Sequence, residues 1–75
     1  MTKFVVFYNA GICGTEMNSG VQEFENEAEA VDAYWTEAVE WALNWADKDE
    51  SWDETAEHVE CWAEEYDPEK HDGQL

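Results

Sequence analysis

DETAEHVECWAEEYD, residues 53–67, is the stretch on which the reading of the fold turns. Asp53, Glu57, Glu60, Glu64 and Asp67 follow one another at steps of four, three, four and three residues. Such steps keep side chains on one face of an α-helix. A second set, Trp52, Ala56, Val59, Ala63 and Tyr66, has a similar period and sits one residue away, about 100° around a helix. Ser51 and Glu54 form a Ser-x-x-Glu capping box, which places an N-cap at Ser51. Pro68 cannot continue a helix and disfavours helical backbone before it. The spacing therefore predicts one helix over 51–67, with Val59, Ala63 and Tyr66 inward and Glu57, Glu60 and Glu64 in water.

Upstream, Asn26 is a suitable N-cap, and Glu27 and Glu29 lie favourably in a first turn. A helix is predicted from there to about Asp47. Val31, Trp35, Ala38, Ala42 and Trp45 form its apolar stripe, widened by Tyr34, Val39 and Trp41. That face is too wide for one-sided burial, so some of its aromatics must be exposed. Residues 47–50 form a polar connection. Lys3–Tyr8, KFVVFY, is rich in β-branched and aromatic residues and reads as a strand. Residues 9–20 are turn-rich, and Val21–Glu25 reads as a second strand, antiparallel to the first. A lone hairpin is not stable in water, so the helices must cover it. The expected fold is α+β, a short antiparallel hairpin packed against two helices (β-β-α-α), in a single domain over 1–68. Residues 69–75 are expected to be a flexible tail.

Charge decides which functions to consider. The net charge is -17 on 75 residues, with a sequence pI near 4.1. A hydrophobic fraction of 44%, with five Trp, three Tyr and three Phe, separates the chain from disordered acidic sequences. No segment approaches the roughly 18 apolar residues of a membrane span. The N-terminus lacks a signal-peptide layout, and the two cysteines, Cys13 and Cys61, read as reduced thiols. A cytoplasmic location is expected. Direct binding to nucleic acid or to an anionic membrane is disfavoured, because phosphate contacts need Lys and Arg. The expected partner is a basic protein, engaged by a monomer or a homodimer.

On a helix, like charges at these spacings cost about 0.2–0.5 kcal/mol per pair. A stripe of Asp53, Glu57, Glu60, Glu64 and Asp67 without interposed Lys suggests that the negative surface is itself useful. Helical positions three and four apart lie about 5–6 Å from one another, close to the repeat of backbone phosphates. Glu37 and Glu40 extend the acidic surface onto the preceding helix. Trp41 and Trp62 sit off the main apolar stripes, as an exposed anchor for a protein partner would. The plainer readings are a solvated acidic surface and adaptation to high salt. Metal sites fit poorly: Asp47, Asp49 and Ser51 start like a calcium loop, but Trp52 and His58 stand where Gly and Glu are needed. His58 and Cys61, with Cys13 or His71, match no zinc spacing. A Cys13–His58 pair would lie in a negative field that raises the thiol pKa, the wrong direction for a nucleophile. No cofactor, metal or catalytic site is expected.

In size, acidity and carboxylate display, residues 26–75 resemble the small phage-encoded inhibitors that mimic DNA, including some anti-CRISPR proteins, restriction inhibitors and uracil-DNA glycosylase inhibitors. The resemblance is one of composition and assigns no residue a role. It implies a non-enzymatic competitive inhibitor that occupies the basic nucleic-acid channel of a host defence protein. A CRISPR-Cas effector is the first expectation, and a DNA glycosylase or restriction enzyme the second. The alternative is a solvated acidic domain serving solubility or salt adaptation.

Overall fold

The computed structural model describes residues 1–11 and 14–73. Its elements, in chain order, are β1 (Thr2–Asn9), β2 (Met17–Phe24), α1 (Glu27–Leu43), α2 (Trp52–Ala56), β3 (Glu60–Glu65) and α3 (Pro68–His71). The strands form one antiparallel sheet in the order β2-β1-β3. The class is α+β, as expected, but a third strand stands where the second long helix was predicted.

The pattern of β1 explains its central place. Phe4, Val6 and Tyr8 point to one face of the sheet, while Val5 and Phe7 point to the other. A strand apolar on both faces belongs inside a sheet, with both backbone edges paired. The β1–β2 hairpin pairs one edge. β3 pairs the other, setting Val6 opposite Ala63, Phe7 opposite Trp62 and Tyr8 opposite Cys61. Opposite β2 the register shifts, with Val5 facing Val21 and Phe7 facing Asn18. Ser19 and Gly20 together stand opposite Val6, one residue more than β1 supplies, and form a bulge in which Gly20 takes φ +69°. There the Val6 N–H donates to Ser19 Oγ at 2.9 Å, so a hydroxyl fills the gap in the ladder.

α1 packs on the Phe4/Val6 face. Its contact residues are small: Ala30, Ala38, Val39 and Ala42 are buried, and Phe4, Val6, Ala30 and Ala63 form the core cluster. Phe24, Val31, Tyr34 and Cys61 close it at the sides, with Phe24 edge-on to Tyr34 at 6.2 Å. Asn26 caps α1 as expected, its side chain accepting the Glu29 N–H at 2.9 Å.

The single helix over 51–67 does not form. Its capping box does: Ser51 Oγ accepts the Glu54 N–H and donates to Glu54 Oε1, both at 3.2 Å. The helix stops after Ala56, and residues 60–65 extend as β3. In a strand, Cys61 and Ala63 turn toward α1 while Glu60, Trp62 and Glu64 turn away. This meets the demand of β1 for a second partner and takes Glu57, Glu60 and Glu64 off a shared helical ridge. Pro68, expected to end a helix, is instead the first residue of α3, with Asp67 as N-cap. Residues 69–71, expected within a flexible tail, are helical, and His71 is completely buried.

Candidate functional site

The predicted five-carboxylate stripe is dispersed by the change of secondary structure. Asp53 and Glu57 are exposed one turn apart on α2, where Glu57 is the C-cap. Glu60 and Glu64 share the outer face of β3 on either side of Trp62. Asp67 is tied down at the start of α3, its Oδ1 accepting the Glu69 N–H at 3.0 Å. Glu37 and Glu40, placed on a helix by sequence, are exposed on α1.

The acidic ridge that does form is on α1. Glu29, Asp32, Glu37 and Glu40 lie within one outward-facing sector of this helix, together with Ala33 and Thr36, and all six are exposed. Glu29 to Glu40 spans roughly 16 Å at the helical rise. Asp47, Asp49, Asp53, Glu54 and Glu57 continue the exposed carboxylates along the chain, with Lys48 the single cation interposed. The sequence marks Glu29 only as a first-turn residue and Asp32 not at all, although the two show the same three-residue step.

The β3 carboxylates differ from one another. Glu60 accepts a hydrogen bond from the Asn9 amide at 3.3 Å. Glu64 pairs with Lys70 at 2.5 Å and His71 at 3.2 Å through Oε1, and accepts the Trp62 indole N–H through Oε2 at 3.1 Å. The Lys70 ammonium, then the Trp62 and His71 donors, lower the Glu64 pKa to about 2. Glu64 is therefore a structural anion that secures α3.

The tryptophans divide in an unexpected way. Trp62 is 38% exposed and stacks on Phe7 at 5.7 Å. Trp41, expected to be a free anchor, is half-buried, and its indole N–H donates to the Thr15 carbonyl at 3.1 Å. It fastens the segment after Gly14 to α1. Trp35, Trp45 and Trp52, expected within apolar stripes, are all exposed. The stripes predict two long covering helices with aromatics beneath them, whereas the alanines of α1 leave little space under that helix.

A cleft of about 320 Å³ lies between the end of α1, the residues just after β1, and α2, lined by Gly11, Trp45, Asp47, Glu50, Thr55 and His58 among others. Glu50 is engaged there by the Thr55 hydroxyl at 2.7 Å. Gly11, at φ +77°, lies against the chain, and a Cβ on it would collide with the His58 carbonyl oxygen. Among the described residues, no three His, Cys, Asp or Glu side chains are placed to hold a metal ion. Burial raises the Cys61 thiol pKa, the opposite of what activates a nucleophile. Cys13 lies outside the described residues. Among those described, no helix is long and apolar enough to cross a membrane.

Comparison with family models, curated proteins and solved structures found no match to this chain.

Proposed function

We propose that the protein is a non-enzymatic inhibitor that presents a nucleic-acid-like surface to a basic partner. The observation that supports this reading is the exposed ridge of Glu29, Asp32, Glu37 and Glu40 on α1, followed along the chain by the carboxylates of 47–57. A helix held rigidly on a sheet keeps such charges at fixed spacing. Apart from Lys48, neither α1 nor the 47–57 segment carries a cation to offset them. The field steers a cationic channel toward the ridge and repels nucleic acid. Exposed Trp35, Trp45 and Trp52 lie on the same elements or their junctions and supply the contacts that slow dissociation. The target proposed first is the nucleic-acid channel of a CRISPR-Cas effector. A DNA glycosylase or restriction enzyme is proposed second.

The test begins with capture of a partner from host lysate at low and moderate salt. Competition between this protein and DNA or RNA on the purified partner then decides the mechanism. Mutual exclusion is expected, with an association rate that falls as salt rises. Replacing Glu29, Asp32, Glu37 and Glu40 with Lys is expected to abolish binding without loss of fold, because all four are solvated. Simultaneous binding of nucleic acid and this protein, with neither affinity reduced, would overturn the proposal. Full activity of the four-Lys variant would do the same.

A further inference from the structure

His71 has no role in the acidic ridge, yet among the described residues it is the largest fully buried side chain, at 0% exposure. Its ring lies on the face of the sheet opposite α1, between Tyr66 at 6.0 Å and Phe7 at 5.9 Å. Both ring nitrogens are engaged. Nδ1 accepts the backbone N–H of Asp67 at 2.9 Å, and Nε2 lies 3.2 Å from Glu64 Oε1. A backbone N–H can only donate, so Nδ1 must hold a lone pair. An ionised carboxylate can only accept, so Nε2 must carry the hydrogen. The contacts thus specify one neutral tautomer.

We propose that His71 is a proton-operated latch for α3, in which docking of this helix and a doubly protonated imidazole exclude each other. A second proton must go to Nδ1, where it would point at the Asp67 N–H, donor against donor, with no solvent to separate them. The charged groups around the ring offer no replacement acceptor. From β3, Glu64 already receives Lys70 on the same Oε1 that His71 uses. From α3, Lys70 would face the imidazolium across that shared oxygen. The Asp67 carboxylate is engaged by the Glu69 N–H, and that of Asp72 by the Tyr66 hydroxyl. From β1, the ring meets Phe7. Near this site the backbone of β1 holds the incoming chain through Tyr66 N–H to the Lys3 carbonyl, at 2.8 Å.

A free imidazole takes up its second proton near pH 6.5. Release of α3 allows that uptake, so protons favour the released form as the pH falls below this value. Release removes the ring that packs beside Phe7 and its stack with Trp62. The latch would therefore convert mild acid into exposure of the Phe7 ring, on the side of the sheet opposite the α1 ridge.

The experiment is NMR of the full chain between pH 7.5 and 5.5, reading the ring nitrogens of both histidines and the exchange protection of the Tyr66, Lys70 and His71 amides. At pH 7.5 His71 should show the Nε2–H tautomer alone. Below about pH 6.5 the protection of these amides, corrected for intrinsic exchange, should fall by up to about tenfold per pH unit, the limit for one coupled proton. The exposed His58 is the internal control, and the His58→Asn variant should keep the response. His71→Asn retains an acceptor for the Asp67 N–H but cannot titrate in this range, so it should lose the response. If that variant fails to dock α3 at all, the wild-type ring signals still decide. The proposal is overturned if His71 gains a second proton with protection unchanged, or if it holds its hydrogen on Nδ1 at pH 7.5.

Discussion

Glu64 accepts from three side chains at once, and its pKa of about 2 follows chiefly from the Lys70 ammonium. A carboxyl group whose folded pKa is depressed contributes stability above its unfolded pKa and loses it as pH falls through the folded one. The ordinary glutamate value is 4.5, so the contribution is complete at neutral pH and fades between about 4.5 and 2. Wild type should exceed Glu64→Gln in melting temperature at pH 7, and the gap should close as the pH is lowered through that interval. A gap that stays constant down to pH 2.5 would mean that the pair contributes nothing through its charge. Gly11 offers a sharper single-residue test. Gly11→Ala must accommodate a methyl group at the His58 carbonyl and a left-handed backbone, and should destabilise by more than about 1 kcal/mol in chemical denaturation. Gly14→Ala, also at positive φ but with open space around its Cβ, should cost less.

Among the elements, α2 shows what a local signal can and cannot say. Its start is written in Ser51 and Glu54 and was legible. Ser51→Ala should cost about 1 kcal/mol, measured by denaturation, because the cap holds a helix of five residues with few other supports. Its end was not legible. Val59, Ala63 and Tyr66 fit helical spacing, whereas Cys61 and Ala63 fit strand alternation. The same short run satisfies both periods. Pairing with β1, more than fifty residues away in the chain, decides between them, and no local propensity records that contact. A clue lay in β1 itself, since KFVVFY is apolar on both faces and a hairpin pairs only one of its edges. The α1 cap and register were legible because Asn26 and the alanine stripe are local features. The outward ridge on α1 obeys the same spacing rule as the carboxylates of 53–67, on a segment that does form a long helix. The exposure of Trp35, Trp45 and Trp52 could not be read, because it depends on how much covering structure is present.

For the whole molecule, the net charge of -17 sets the response to salt. Most of the carboxylates lie on the surface and repel one another across distances comparable to the Debye length, about 10 Å at 0.1 M salt. Raising sodium chloride from 20 to roughly 300 mM should therefore increase the melting temperature. The four-Lys variant of α1 should show a smaller increase. Equal salt responses in the two proteins would place the repulsion elsewhere.

The kinked border at Ser19 and Gly20 matters most where charge no longer protects the chain. Near its sequence pI of about 4.1 the protein loses the repulsion that keeps copies apart. What then resists strand-to-strand polymerisation is shape: a bent outer strand whose ladder is interrupted makes a poor template for another chain. Clouding at that pH should accordingly be amorphous and reversible on neutralisation. Removing the kink by deleting Gly20 should instead yield thioflavin-positive fibres from the same solution.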